Sequence, residues 1–225
     1  VYKICMSEKI RIIGSFCASM IILLLVGVYT FFNIGEYKRS MTWVTHTQTV
    51  ILEAEEMLSC MQEMETAQRD YILTDNSASL KRYKSSVKRR DSIYKRLYSL
   101  VQDNAQQQIL LDSIRNLYKL RTDAADQAIL IRDKSGFVAA RNFIVQGTGH
   151  ELMRLFRAGT GRLINNERKL LEVRVKQAEQ EFTSLILIIF GSVLLSILII
   201  LSTMYFFIRD FNKRRASQKR LAESE

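Results

Sequence analysis

The 225-residue chain contains no proline and only nine glycines. Because proline is the residue that most strongly interrupts a helix, its absence permits helices of unusual length. No stretch alternates apolar and polar residues in the way that a half-buried strand requires. The sequence therefore predicts an all-α protein.

Histidine and cysteine are also scarce, which argues against several kinds of functional site. Three cysteines are too few for a disulfide framework. The only histidines, His46 and His150, are far apart, and the stretch HELMR at His150 lacks the second histidine of a zinc-protease helix. No phosphate-binding loop, dinucleotide-binding glycine motif or serine-nucleophile elbow occurs. We therefore expect no metal, no cofactor and no catalytic residues in this chain, whatever the activity of the protein that carries it.

Two long runs contain no charged residue. Residues 12–34 read IIGSFCASMIILLLVGVYTFFNI, and residues 182–208 read FTSLILIIFGSVLLSILIILSTMYFFI. A helix needs about 20 apolar residues to cross the hydrocarbon of a bilayer, so both runs are predicted to be transmembrane helices. The first run ends in bulky aromatic residues, whereas a cleaved signal peptide ends in small ones. We therefore expect a retained anchor.

Lysine and arginine beside the two spans indicate the orientation of the chain. Basic residues precede the first span and follow the second, and cytoplasmic segments are the ones that carry such an excess. We expect residues 1–11 and 209–225 to be cytoplasmic and residues 35–181 to be extracytoplasmic. The formal net charge of +10 does not indicate a nucleic-acid partner, because the basic residues are interleaved with acidic ones. Residues 81–90, KRYKSSVKRR, are interpreted as a solvated helix face, with an anion-binding or lipid-headgroup patch as the alternative.

Between the spans, apolar residues recur every three or four positions, as they do in helices that bury one face. The first helix continues from the first span, carries an apolar stripe from Trp43 to Tyr71, and ends at 74–77. The pattern then predicts helices over 79–102 and 103–136, the latter capped by Asp103, a short helix over 137–145, and a last helix from about His150 into the second span. Such lengths predict an antiparallel four-helix bundle between two transmembrane helices.

The end of the first helix carries an unusual density of polar residues, in the stretch ETAQRDYILTDNSASLKRY that begins at Glu65. Glu65 and Arg69 are four positions apart and can pair on one helix face. Counting residues from the spans places Glu151 at a similar height on the last helix. We hypothesise a polar clasp of Glu65, Arg69 and Glu151. The alternative is an ordinary surface pair worth less than about 1 kcal/mol.

Two motifs, in order between the spans, resemble the third CHASE family of extracytoplasmic sensor domains. The first is ETAQRDYILT, which departs from the family pattern at Ala67 and Asp70, where glycine is usual. The second is NNERKLLEVRV, shortly before the second span. The motif positions that match the family include Glu65, Thr66, Gln68, Arg69, Tyr71, Glu167, Arg168 and Arg174.

The resemblance implies a function in signalling. Residues 209–225 resemble the helix that leads into a PAS domain or a kinase dimerisation helix, so we expect an output domain that this chain lacks. The expected protein is a two-component sensor histidine kinase of the bacterial inner membrane, a homodimer that relays an envelope signal through the second span. The alternatives are the input module of a chemoreceptor or a diguanylate cyclase, or a structural membrane-anchored helical bundle. The residues themselves name no external ligand.

Overall fold

The computed structural model describes residues 2–222, with side chains described at 14, 16, 17, 19–209, 211–213, 215 and 216. The predicted cytoplasmic segment 1–11 thus lies outside the described side chains, and residues 223–225 lie outside the described residues. The helices are α1 (Tyr2–Thr74), α2 (Ser77–Leu100), α3 (Ala105–Val145) and α4 (Thr148–Ala222). The described residues contain no strand, and the predicted all-α class is confirmed.

The bend after α1 is built by two residues with turn and capping chemistry. Asp75 adopts a left-handed conformation with φ of 58°, which aspartate tolerates better than most side chains. Asn76 then caps α2, because its side-chain oxygen accepts a hydrogen bond of 2.9 Å from the backbone N–H of Ala78. The reversal of the chain at 74–77 is thereby local in origin.

Helix α3 differs from the predicted pattern at its start and agrees with it at Gly136 and at its end. Its cap is Asn104, which accepts from the N–H of Gln107, whereas the sequence suggested a cap at Asp103, one residue earlier. Gly136 has φ of 80°, which glycine adopts without strain, and it kinks α3 at the predicted boundary. The predicted short helix, 137–145, is the helical segment that follows this break.

Side-chain contacts show that neighbouring helices of the bundle run antiparallel. As the contact position moves back along α1, its partner advances along α4, and the same reversal holds for the other neighbouring pairs. The contacts are, for α1 with α4, Thr47–Arg174, Glu55–Arg168 and Glu65–Arg157; for α1 with α2, Glu53–Arg96 and Glu63–Arg89; and for α2 with α3, Tyr83–Asp126 and Tyr94–Asp112.

All four helices contribute to one core that lies within the compact unit Thr42–Val175. The stripe predicted on α1 is buried from Thr47 to Tyr71, whereas Trp43, expected at its start, is 40% exposed. Gly159 of α4 allows a close approach to α3, because a methyl group there would lie 3.2 Å from Ile114 Cγ1. Methionines at several levels fill this core, and their flexible thioether chains suit the irregular space between helices.

The remaining described residues form a second compact unit, which holds the apolar parts of α1 and α4. Two segments, within Ser19–Thr74 and Thr148–Lys213, are long and apolar enough to cross a membrane. Nearly all side chains of their most apolar windows are exposed, as lipid-facing side chains are. The rings of Tyr37 and Phe182 in this unit lie 5.5 Å apart.

Candidate functional site

A cleft of about 330 Å³ opens between α1 and α4, and we call it the Glu65 cleft. It is lined by Glu65, Arg69, His150, Met153, Arg154 and Arg157. Lining positions 150, 153, 154 and 157 share one face of α4, because residues three and four apart are neighbours on a helix surface.

Glu65 is the centre of this cleft. Its carboxylate is buried, and its two oxygens accept from different helices. Oε1 accepts from Arg69 Nη2 at 2.7 Å within α1, and Oε2 accepts from Arg157 Nη2 at 3.4 Å across to α4. The side chain of Glu65 therefore links the first and last helices of the bundle.

The structure brings together Glu65 and Arg69 of the hypothesised clasp and gives Glu151 another partner. Glu151 accepts two hydrogen bonds from Arg154, of 2.8 and 2.5 Å, on the exposed surface of α4. These hydrogen bonds lower the pKa of Glu151. The contact from α4 to Glu65 is made by Arg157 instead, a residue that the sequence reasoning missed. The spacing of Arg157 from His150 and Arg154 along one helix face was the signal available for it.

Gln68, another motif residue, holds a buried arginine of α3. Arg121 Nη2 donates a hydrogen bond of 2.9 Å to Gln68 Oε1, and only 4% of Arg121 is exposed. Among the described residues no carboxylate forms an ion pair with this guanidinium, and its buried Nε makes no hydrogen bond there. A methyl group on Gly149 would lie 3.7 Å from Arg121 Cζ, an ordinary van der Waals contact, so the start of α4 lies close to this guanidinium. Burial lowers the pKa of Arg121.

Tyr71, also a residue of the first motif, ties α1 to α3. Its hydroxyl donates a hydrogen bond of 2.6 Å to Asp133. This bond, with burial and the charge of the carboxylate, raises the pKa of Tyr71 to about 12. Three residues of this motif, Glu65, Gln68 and Tyr71, thus reach across the bundle to other helices.

Thr66 and the basic cluster 81–90 meet at a second, more open cleft between α1 and α2, of about 570 Å³. Two arginines of the cluster pair there with acids of α1: Arg82 with Asp70 at 2.8 Å and Arg89 with Glu63 at 2.7 Å. Both arginines remain exposed, so this part of the cluster is a solvated face that also pairs with α1.

The second motif contacts α3 and the part of α1 that precedes the first motif. Glu167 is buried and accepts from the side-chain amide of Gln107 in α3, and burial raises its pKa. Arg168 pairs with Glu55 at 2.9 Å. Arg174 contacts α1, where it donates to the Thr47 hydroxyl and its guanidinium lies 4.7 Å from the centre of a tryptophan ring.

The described part of the chain holds no group of three His, Cys, Asp or Glu residues placed to bind a metal ion.

The family model of the CHASE3 domain matches residues 40–177, more than half of the chain. This match contains the whole compact unit Thr42–Val175, and the resemblance inferred from the two motifs is confirmed. Among curated proteins, and likewise among solved structures, no match to the chain was found. CHASE3 domains are extracellular sensory domains of signalling receptors. The chain, a helical bundle joined to two helices apolar enough to cross a membrane, belongs to the CHASE3 domain family.

Proposed function

We propose that this chain is the membrane-bound input module of a bacterial two-component sensor histidine kinase. The observation that carries the proposal is the continuity of α4. One helix, Thr148–Ala222, begins in the CHASE3 domain and continues through the apolar segment to the basic residues that follow it. A continuous helix is the simplest element that can transmit a displacement from an external domain to an internal one.

The contacts of α4 indicate what a signal would change. Arg157, Arg168 and Arg174 each contact α1 through a polar group, at three successive levels of the bundle. Such contacts can exchange partners at small cost, whereas the packed core between them resists deformation. A stimulus that favours a new set of partners would shift α4 along or around α1. Two signalling states of this kind differ by a few kcal/mol at most.

The proposed placement is the bacterial inner membrane, with 35–181 outside the cytoplasm and both termini inside. Arg209, Lys213 and Arg215, which follow the second apolar segment, support it through the excess of basic residues at cytoplasmic ends. A homodimer is part of the proposal, because a histidine kinase transfers phosphate within a dimer.

The output is tested with the full-length protein in isolated bacterial membranes. Incubation with radiolabelled ATP should give phosphate that is labile to acid and stable to base, as on a histidine. Formation of a cyclic dinucleotide from GTP would show that the protein is a diguanylate cyclase and not a kinase. A change in swimming bias without either reaction would indicate a chemoreceptor. The absence of all three outputs would indicate a structural bundle.

Transmission through α4 is tested by inserting one to four alanines between Gln177 and Ala178. Each inserted residue rotates the following helix by about 100° and lengthens it by about 1.5 Å. The output should therefore change with the number of insertions and approach its original value near one full turn. Equal insertions in the loop at Gln102, outside α4, are the control, and an output that responds equally to both series would contradict transmission through α4.

A further inference from the structure

We propose that the Glu65 cleft binds a small oxyanion, a carboxylate or phosphate compound, and that the ligand replaces Glu65 as the partner of Arg157. The inference rests on the proposed function only for the meaning of binding as a signal. The binding itself follows from the charges, contacts and size of the cleft.

The charges of the lining favour an anion. Three guanidinium groups face the cleft, and Glu65 is the one carboxylate in its lining. Arg154 is held by Glu151, so Arg69 and Arg157 are left to share Glu65. Each guanidinium carries five N–H donors, and each of these two arginines uses one of them on Glu65. About half of each side chain is exposed, so both can turn toward a ligand.

The contact between Glu65 and Arg157 is the one that a ligand can replace. At 3.4 Å it is longer than the usual range of about 2.7–2.9 Å for a hydrogen bond between two ions. Glu65 is fixed in this position because it also binds Arg69 at 2.7 Å. A mobile oxyanion in the cleft can approach Arg157 without that constraint, and it would therefore be the better partner.

Arg121 gives a second and independent reason. This guanidinium is more than nine-tenths buried, has no ion-pair partner among the described residues, and keeps its Nε without a hydrogen bond. The carboxylate charge of Glu65 and the charge of Arg69 both act on it. It binds Gln68, one helical turn from Glu65, and lies against Gly149, next to His150 of the lining.

A buried charge without a partner is costly, so a protein that keeps one gains from bringing an opposite charge near it. Arg121 lies behind the cleft and adds its positive field to that of the lining arginines. Once an anion displaces Glu65 from Arg157, the Glu65 carboxylate interacts only with the charges of Arg69 and Arg121. The cleft and the buried arginine thus act together on the same ligand.

Size limits the ligand to small compounds. A cleft of about 330 Å³ is at the lower end of the range of roughly 300–1,000 Å³ for small-molecule sites. Met153 gives the wall a small apolar surface beside the charged groups. Inorganic phosphate and a short dicarboxylate such as succinate both fit these conditions, and they are the two probes of the test.

The test is isothermal titration of the full chain in lipid nanodiscs with inorganic phosphate and with succinate, at constant ionic strength. We expect saturable binding of at least one of them, with one site per chain. Arg157→Gln should raise the Kd by about tenfold or more, because a charge-assisted hydrogen bond to the ligand is lost. Glu65→Gln should lower the Kd, because it removes the charge that competes with the ligand for Arg157 and keeps the shape of the side chain.

The matched control is Arg168→Gln, which removes the same charge from the same helix outside the cleft, where Arg168 pairs with Glu55. Its Kd should equal that of the parent chain. An absence of saturable binding with both probes, or an equal loss in Arg168→Gln and Arg157→Gln, would overturn the proposal. Because titration needs no output domain, this result is independent of whether the full protein phosphorylates a histidine.

Discussion

Tyr71 of α1 and Asp133 of α3 are joined by a hydrogen bond of 2.6 Å, although 62 positions separate them in the sequence. The tyrosine belongs to the family motif, and its partner precedes the kink at Gly136 by three residues. The bond therefore fixes the end of α1 to the part of α3 where the chain changes direction.

Replacing Tyr71 by phenylalanine should lower the stability of the bundle by about 1 kcal/mol, the usual contribution of one such hydrogen bond. Asp133 is exposed and stays hydrated in the variant, so no larger loss is expected. Thermal unfolding of the full chain in nanodiscs, followed by circular dichroism, measures the change.

Alkaline pH gives a second measurement of the same bond. The pKa of Tyr71 rises from 10.0 to about 12, so the folded state holds the phenolic proton more tightly than the unfolded state does. Its contribution to stability is complete below pH 10 and is lost as the pH rises through 12. The stability difference between the parent chain and Tyr71→Phe should shrink over this interval, and a constant difference would contradict the assignment.

Two glycines of α4 form a matched pair for a second prediction. A methyl group at Gly161 meets no atom within 4 Å, whereas at Gly159 it would lie 3.2 Å from Ile114 Cγ1. Gly161→Ala should stabilise the bundle by roughly 0.5–1 kcal/mol, through helix propensity alone. Gly159→Ala should gain less or lose stability, because Ile114 must move. Equal melting temperatures for the two variants would show that α3 and α4 are not closely packed at this level.

Glu167 provides a prediction on buried charge. Burial raises its pKa above the ordinary 4.5, so the folded state favours the protonated carboxyl. The stability that this group contributes is present below pH 4.5 and is lost as the pH rises through the higher folded-state value. Glu167→Gln keeps an oxygen that can accept from Gln107 and removes the charge.

This variant should therefore melt at a higher temperature than the parent at pH 7, and the difference should narrow as the pH falls toward 4.5. Glu55→Gln, which alters an exposed carboxylate paired with Arg168, is the control and should change the melting temperature little. A lower melting temperature for Glu167→Gln at pH 7 would mean that the ionised carboxylate is needed for stability.

Local signals in the sequence were sufficient for the helices and placed their ends within about two residues. The uncharged runs identified both apolar segments, and the polar residues at 74–77 identified the bend, because capping depends on neighbours within a few positions. The cap of α3 was displaced by one residue, from Asp103 to Asn104, since both side chains can cap a helix and only the backbone decides between them.

The pairing of charges between helices could not be read in the same way. Counting residues from the two spans placed Glu151 near the height of Arg69, and the contact of Glu65 with Arg157 agrees with this register within about two residues, or roughly 3 Å. Height alone does not determine which side chain of α4 faces Glu65. Glu151 was also available to Arg154 on its own helix, and a local partner requires no particular register.

Trp43, the single tryptophan of the chain, reports on the contact that Arg174 of α4 makes with α1. The guanidinium of Arg174 lies 4.7 Å from its ring centre and also donates to Thr47, so the ring is covered on one face by α4. Arg174→Gln should uncover the ring and shift its fluorescence to longer wavelength. Arg168→Gln, which removes a charge six positions earlier on α4, should leave the emission unchanged.

The same fluorescence tests whether binding in the Glu65 cleft alters the contact of Arg174 with Trp43. If an oxyanion at Arg157 shifts α4 against α1, saturating phosphate or succinate should change the Trp43 emission of the parent chain. The change should be lost in Arg157→Gln, which cannot bind the probe tightly, and in Arg174→Gln, which binds it but no longer covers the ring. Binding by titration without any change at Trp43 would confine the ligand's effect to the cleft, and α4 would then not transmit it.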